Sequence, residues 1–222
     1  MKRKPNEFDA SETVTPGPRP GRRIGLLGGS FNPAHDGHRH ISVMALQQLD
    51  LDEVWWLVSP QNPLKPAKGM APFADRLSYA RQVARHPRIR VSDIEQRLNT
   101  QYSLDTVRAL KRRYPGHIFV WLMGADILTE MPAWRRWSEF FNTVAIAVFA
   151  RPSYSLKALA SQAAVRYARY RLPEDQARCI TRQAPPAWVF LRIRLHEASG
   201  TDMRESGRTV RAIMNADTRS GD

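Results

Sequence analysis

Two histidines, His35 and His38, lie three residues apart at the end of the glycine-rich segment GGSFNPAHDGH, residues 28–38. A short apolar run precedes the segment, which indicates a turn between a first strand and a first helix. Imidazole titrates near neutral pH and donates hydrogen bonds to phosphate oxygens. The amides and the positive dipole end of a helix N-terminus also favour an anion. We therefore predict that both histidines face a phosphate group at the start of this helix.

The glycines of this turn and the spacing around them narrow the kind of anion site. Gly28 and Gly29 carry no Cβ, which lets the backbone approach a phosphate closely. The segment is not a P-loop, since no Gly-Lys-Ser/Thr follows, nor a G-x-G-x-x-G dinucleotide turn. Zinc is disfavoured, because no third Cys, His or carboxylate is spaced to join His35 and His38. We predict no metal site made by the protein; a purely structural role for both histidines is the alternative.

The composition bounds the classes of partner. The chain has 222 residues and a formal net charge of +13. This surplus favours nucleic acid, anionic membrane or phosphorylated small molecules, or it reflects only a solvated basic surface. A single cysteine, Cys179, excludes an intramolecular disulfide and, with no secretory signal, indicates the cytoplasm. No apolar run approaches the roughly 18 residues that span a bilayer, so we expect no membrane partner.

The hydrophobic pattern predicts strands that alternate with helices. Apolar, β-prone runs lie at 23–27, 53–58, 89–94, 117–123, 144–149 and 187–195. Helical spacing is found at 38–49, at 72–85 and at 103–114, where Ser103 is the expected N-cap. Such alternation indicates βαβ units, and nearly continuous apolar runs indicate strands covered on both faces. The expected fold is α/β: a doubly wound, mostly parallel, Rossmann-like sheet with helices on both faces and a C-terminal helical elaboration.

Three parts of the chain are expected from composition. Residues 1–21, rich in Pro and Gly, are predicted to be a disordered leader, 22–214 a single folded domain and 215–222 a flexible tail. Within the domain, residues 151–183 depart from the alternation and carry seven Lys or Arg against two acids, with tyrosines among the arginines. This segment is interpreted as a nucleic-acid surface, a basic cover for the sheet edge, or a dimer contact of a homo-oligomer.

The segment 28–38 resembles the signature G-G-[ST]-F-x-P-x-H-x-G-H of the HxGH nucleotidyltransferases, the adenylyl- and cytidylyltransferases related to class I aminoacyl-tRNA synthetases. Such families carry a second element, Ser-x-Thr-x-x-Arg at a helix start, which Ser199, Thr201 and Arg204 match. The resemblance implies that Ser199 and Thr201 cap that helix while Arg204 holds the leaving phosphates. The implied ATP-binding residues are Gly28, Gly29, Ser30, Phe31, His35, His38, Ser199, Thr201 and Arg204.

Further segments are similar to those of the nicotinate-mononucleotide adenylyltransferases, with the likeness running from about Arg22 to Arg208. Residues 61–65 resemble the family's Pro-x-x-x-Pro-x-Lys loop, although Leu64 stands where a Pro-His pair is common. Residues 102–106 resemble its Ser-Tyr-Thr-x-Asp-Thr segment, and 124–137 its Gly-x-Asp-x-Leu…Trp-x-x-Trp segment. The implied substrate-binding residues are Lys65, Tyr102, Ser103, Thr106, Asp126 and Trp134.

The resemblance also assigns roles to these residues. A nicotinate ring is flat and electron-poor, so the indole face of Trp134 suits it, whereas Trp137 is expected in the core. Asp126 is expected to hold a ribose hydroxyl, with a helix N-cap as the alternative. The family binds the nicotinate carboxylate with backbone amides near Tyr102 and Ser103, which makes that region the expected acid pocket.

The implied reaction is transfer of AMP from ATP to nicotinic acid mononucleotide, giving deamido-NAD and pyrophosphate in NAD biosynthesis. The attacking phosphate is already anionic, so no general base is required. His38 is expected to stabilise the α-phosphoryl transition state, His35 to orient the phosphates, Arg204 to hold the leaving group, and Mg²⁺ to ride on ATP. Two alternatives stay open: another adenylyl- or cytidylyltransferase, acting on nicotinamide mononucleotide or phosphopantetheine, and a basic nucleic-acid-binding protein.

Overall fold

A computed structural model describes residues 21–61, 69–151, 154–193 and Val210. The strands are β1 Arg23–Gly29, β2 Glu53–Val58, β3 Ile89–Ser92, β4 Ile118–Gly124, β5 Ala145–Phe149, β6 Arg171–Leu172 and β7 Trp188–Leu191. The α-helices are α1 Asp36–Gln48, α2 Phe73–Ala84, α3 Ile94–Arg97, α4 Ser103–Arg113, α5 Ala125–Glu130, α6 Trp137–Thr143, α7 Ser155–Leu159 and α8 Gln162–Arg166. Short 3₁₀-helices span Met131–Ala133, Ala168–Tyr170 and Glu174–Arg182.

The strands form one sheet in the order β3-β2-β1-β4-β5-β7-β6, and each described pairing is parallel. The chain first winds outward from β1 through β2 to β3, then crosses back to β4 on the other side of β1. The predicted doubly wound sheet is therefore confirmed. Ligands of such sheets bind beyond the carboxyl ends of the strands where the winding reverses, which here means beyond Gly29 of β1 and Gly124 of β4.

Helices cover both faces of the sheet, so the central strands are buried on both sides. All of β2 is buried, and its neighbours Trp55 and Trp56 point into opposite cores. Trp56 shares its core with Ala45 of α1 and Ala80 of α2, while Trp55 belongs to the core of the other face. This arrangement explains the unbroken apolar runs in the sequence.

The helix starts differ slightly from the prediction. Helix α1 begins at Asp36, with His35 as its N-cap, so the last residues of the 28–38 segment are already helical. At α4 the N-cap is Tyr102, and Ser103 is the first helical residue. The Tyr102 carbonyl accepts hydrogen bonds from the backbone amides of Asp105 and Thr106, at 2.9 and 3.0 Å. The predicted Ser103 cap is thus wrong by one residue, because the backbone turns one residue earlier.

The basic segment after β5 covers the edge of the sheet. It contains α7, α8, two 3₁₀-helices and β6, a short strand that the sequence pattern did not predict. Ala177 and Ile180 join the core, and the ring of Tyr167 stacks on Phe141 at 4.2 Å. Because Tyr167 is only 5% exposed, its ring cannot stack on a nucleic-acid base. The predicted C-terminal helical elaboration lies outside the described residues apart from Val210, which is helical.

Candidate active site

His35 and His38 lie side by side at the start of α1, just beyond the carboxyl end of β1. Their ring centroids are 3.8 Å apart. The Nδ1 atom of His38 accepts a hydrogen bond from the backbone N–H of His35 at 3.2 Å. An accepting nitrogen carries no proton, so the neutral His38 ring holds its proton on Nε2. His38 is half-buried and His35 is 5% exposed, so His38 is the more solvent-exposed of the two.

Phe31 supports His38 from below. Its backbone is left-handed, with a φ of 47°, which a residue with a Cβ adopts only when its surroundings impose it. The Phe31 ring stacks on Trp56 at 5.1 Å and lies 4.8 Å from the His38 ring. With 2% exposure, its side chain belongs to the core. The predicted contact between the Phe31 side chain and ATP is therefore not supported, because the ring is buried. Instead, the ring packs against His38 and positions it.

Packing beneath the turn constrains one of its two glycines. A Cβ on Gly28 would lie 2.6 Å from the Trp121 ring, closer than atoms can approach. A Cβ on Gly29 would make an ordinary contact with the Phe31 ring at 3.5 Å. Gly28 is thus required by the packing of Trp121 under the turn. Close approach of a phosphate to Gly28 and Gly29 stays a prediction beside this packing requirement.

Arg76 of α2 ties the glycine turn to the segment after β2. The Arg76 side chain donates hydrogen bonds to four backbone carbonyls: Ser30 at 2.5 Å, Ser59 at 2.8 Å, Pro60 at 2.8 Å and Ala71 at 3.0 Å. Arg76 is 1% exposed, and burial lowers the pKa of its guanidinium. Sequence reasoning missed this residue. The available signal was an arginine on the face of the predicted helix that also carries Ala80.

Asp126 lies in the first turn of α5, just beyond the carboxyl end of β4. Its Oδ2 accepts a hydrogen bond from Arg151 at 2.6 Å. Its Oδ1 is buried and has no hydrogen-bond partner among the described residues. A Cβ on Gly124 would lie 2.4 Å from this Oδ1, so the glycine makes room for the carboxylate. The N-cap alternative for Asp126 is wrong, because the N-cap of α5 is Gly124.

Trp121 of β4 connects the glycine turn to Trp134. Besides its contact with Gly28, the Trp121 ring meets Trp134 edge to face at 6.3 Å. Trp134 is half-buried, and Phe140 packs against it at 5.6 Å. Trp137 packs against the core beside Phe141, as predicted. The Trp121 indole therefore packs against both the glycine turn that is predicted to bind phosphate and Trp134, which is predicted to bind the nicotinate ring.

Thr106 and Glu95 hold the start of α4 through hydrogen bonds. The Thr106 Oγ1 atom lies 2.9 Å from Thr100 Oγ1, 3.3 Å from Glu95 Oε1 and 3.3 Å from the Tyr102 carbonyl. Thr106 is fully buried. Its predicted direct contact with substrate is therefore replaced by an internal one that holds the start of α4. Tyr102 and Ser103 are half-buried at that start.

Glu95 is a buried acid that sequence reasoning did not single out. Burial raises the pKa of Glu95 to about 7, while hydrogen bonds from Thr106 and Ser59 oppose the increase. The Ser59 amide in turn donates to the Gly29 carbonyl at 2.9 Å. Glu95 thus links the end of β1, through Ser59, to the start of α4, through Thr106. Glu95 could have been found from the sequence only if the residues after β2 and the start of α4 were known to lie next to it.

The pKa of Glu95 predicts a pH dependence of stability. In the unfolded chain its pKa is near 4.5, so the folded protein binds the proton more tightly. The stability from this group is fully present below about pH 4.5 and is lost as the pH rises through about 7. Relative to Glu95→Gln, wild type should lose on the order of 2–3 kcal/mol of unfolding free energy between about pH 5 and 8. Urea unfolding of both proteins at the two pH values measures this; a difference that is the same at both would contradict it.

Four of the predicted site residues lie outside the described ranges: Lys65, Ser199, Thr201 and Arg204. In the ranges that the structure describes, no three or more His, Cys, Asp or Glu side chains are grouped as metal ligands. No helix in those ranges combines the length and apolar character that a bilayer crossing requires.

The parallel, doubly wound sheet with paired histidines beyond its first strand defines a class of nucleotide-binding α/β proteins. Residues 26–206 match the model of the cytidylyltransferase-like family. A protein of Parvibaculum lavamentivorans is 52% identical over 188 residues, covering 85% of this chain and 94% of that protein. A protein of Cereibacter sphaeroides is 49% identical over 185 residues, covering 83% and 97%. Both carry the name probable nicotinate-nucleotide adenylyltransferase.

Accordingly, the chain belongs to the nicotinate-nucleotide adenylyltransferase family, which confirms the resemblance drawn from its motifs. Among solved structures, the nicotinic acid mononucleotide adenylyltransferase of Plasmodium falciparum has a TM-score of 0.61 at 15% identity, with 83% of each chain covered. That protein was solved in complexes with APC and with NaAD. At this identity the likeness supports the fold alone.

Proposed function

We propose that this protein transfers AMP from ATP to the 5′-phosphate of nicotinic acid mononucleotide, forming deamido-NAD and pyrophosphate in NAD biosynthesis. The observation that carries the proposal is the position of His38, in the first turn of α1 and beyond the end of β1, with its Nδ1 accepting the His35 amide, so that Nε2 is left to donate. The names of the close relatives support the same acceptor. The cytoplasm, which supplies ATP, is the compartment we propose.

The chemistry is a direct in-line displacement at the α-phosphorus. An oxygen of the acceptor phosphate forms a bond to this phosphorus while the bond to the bridging oxygen breaks and pyrophosphate leaves. His38 donates from Nε2 to a non-bridging α-oxygen, whose charge it stabilises in the transition state. His35 and the N-terminal amides of α1 orient the phosphates. Neither histidine removes a proton, because the acceptor phosphate is already ionised.

Four residues outside the described ranges complete the proposed site. By the motif match, Ser199, Thr201 and Arg204 hold the outgoing phosphates, and Lys65 contacts the acceptor. Mg²⁺ enters with ATP and is held by its phosphates, since the described residues present no carboxylate cage for it.

In this proposal the acceptor mononucleotide is bound by Trp134, by Asp126 and by the start of α4. The Trp134 indole supports the nicotinate ring, and the amides at the start of α4, around Tyr102 and Ser103, receive its carboxylate. The Oδ1 of Asp126 accepts a ribose hydroxyl; this atom has no other hydrogen-bond partner among the described residues. Glu95 and Thr106 act indirectly, by holding the start of α4.

Pyrophosphate release from ATP and Mg²⁺ tests this proposal, with nicotinic acid mononucleotide, nicotinamide mononucleotide and phosphopantetheine as parallel acceptors. We expect the highest kcat/KM with the acid. A preference for the amide would keep the enzyme class and overturn the acid pocket. A preference for phosphopantetheine, or no release with any of the three, would overturn the proposed acceptor. Nucleic-acid binding is the less supported function, because it does not account for the paired rings of His35 and His38 at the start of α1.

A further inference from the structure

Arg135 connects the two elements proposed to hold the nicotinate group. It directly follows Trp134, and its guanidinium carbon lies 4.7 Å from the centroid of the Tyr102 ring. Tyr102 is the N-cap of α4, so this cation–π contact joins the segment after the 131–133 turn to the start of that helix. Arg135 is exposed, and its guanidinium lies beside the Tyr102 ring.

The arginines near Arg135 are paired with an acid, whereas Arg135 is not paired with any acid of the described residues. Arg136 and Arg108 both pair with Glu139, at 2.6 and 2.8 Å. Asp105, in the first turn of α4, acts electrostatically on Arg136. For Arg135, no carboxylate of the described residues lies within the 4.0 Å ion-pair distance. Among the described residues its positive charge is therefore not offset by an acid at ion-pair distance, and it acts on a ligand bound beside Tyr102.

The start of α4 adds to this positive field. The Tyr102 carbonyl receives its hydrogen bonds from the amides of Asp105 and Thr106, so the amides of Ser103 and Leu104 precede the first bonded turn. These leading amides form the positive end of the helix dipole. A carboxylate placed here interacts favourably with both the helix end and the guanidinium, whereas a carboxamide has no net charge to attract.

We infer that Arg135 is a specificity-determining residue, whose guanidinium favours the acid form of the pyridine mononucleotide over its amide. The inference rests on the proposed function. The effect belongs mainly to binding, because the charge of the carboxylate does not change during transfer of AMP. Since the guanidinium is exposed and screened by salt, we expect a discrimination of about threefold to tenfold from its charge.

The test compares kcat/KM for nicotinic acid mononucleotide and nicotinamide mononucleotide in wild type, Arg135→Ala, Arg135→Lys and Arg135→Glu. Arg112→Ala is the matched control, because it removes the same charge from an exposed position at the far end of α4. We expect Arg135→Ala to lower the acid-to-amide ratio about threefold to tenfold, through KM for the acid. Arg135→Glu should lower it further, Arg135→Lys should retain most of it, and Arg112→Ala should change it less than about twofold.

The outcomes separate this inference from the proposed function. An unchanged ratio in an active Arg135→Ala enzyme overturns the inference alone. An equal loss for both mononucleotides also overturns it, because the guanidinium then acts on a part that both substrates share. If wild type releases pyrophosphate with neither mononucleotide, the proposed function is overturned, and the inference with it.

Discussion

The His38→Ala variant is expected to lose roughly 10²–10³-fold in kcat while remaining folded. His38 lies at the third position of α1, where its Nδ1 accepts a hydrogen bond from the His35 amide. In the proposed mechanism its Nε2 donates to the reacting phosphoryl group. Alanine removes a preoriented donor that acts where charge develops in the transition state. The KM for ATP should change much less than kcat, because the helix N-terminus still binds the phosphates.

His40→Ala is the matched control for this variant. It removes the same side chain from the same helix, two residues further along and therefore on a different face. We expect its kcat to stay within about threefold of wild type, because its ring does not face the turn. Steady-state kinetics of pyrophosphate release, with circular dichroism to verify folding, would decide the matter. A His38→Ala enzyme within tenfold of wild type would contradict the assigned role.

Replacing Arg76 with Met is expected to lower the free energy of unfolding by about 3–5 kcal/mol. The substitution keeps most of the apolar volume but leaves four carbonyls without the donor they share, in a place closed to water. Arg76→Lys should recover only part of the loss, since an ammonium has three donors in a geometry unlike the guanidinium fork. Urea unfolding at neutral pH measures the three proteins.

Arg85→Met serves as the comparison for Arg76, because Arg85 is exposed at the end of the same helix. We expect it to change the unfolding free energy by less than about 0.5 kcal/mol. A loss below 1 kcal/mol in Arg76→Met would show that water or a neighbouring donor replaces the guanidinium, and that the turn does not depend on it.

The sheet was largely predictable because its strands are buried on both faces. Six apolar runs correspond to strands β1 to β5 and β7, because most residues of these strands are buried. β6 escaped notice because it has two residues, Arg171 and Leu172, too few to show a period. Its position depends on pairing with β7, a contact between distant parts of the chain that no local pattern encodes.

The motif predicted which residues gather at the site, but not what each side chain does there. Phe31 and Gly28 belong to the motif, yet the ring of Phe31 packs on Trp56 and Gly28 accommodates Trp121. These roles depend on which aromatic residues of β2 and β4 lie beneath the turn, which follows from strand order. A motif records that a residue type is required without saying whether packing or ligand binding requires it.

The residues that reasoning from sequence missed are the ones that act across elements. Arg76 reaches carbonyls 5 to 46 residues away, and Glu95 connects Ser59 with Thr106. Neither residue has a distinctive spacing, because its partners are backbone groups or hydroxyls that only the fold brings together. Buried polar groups of this kind hold the turns that the histidines and Tyr102 occupy.

Transfer of label from [α-³²P]ATP tests the central claim most directly. Wild-type protein is incubated with the labelled ATP, Mg²⁺ and nicotinic acid mononucleotide. The products are then separated and identified by mass spectrometry. We predict that the label appears in deamido-NAD, with one pyrophosphate released for each dinucleotide formed. Label that stays in ATP, or that is released as free AMP, would contradict the transfer of AMP to the mononucleotide.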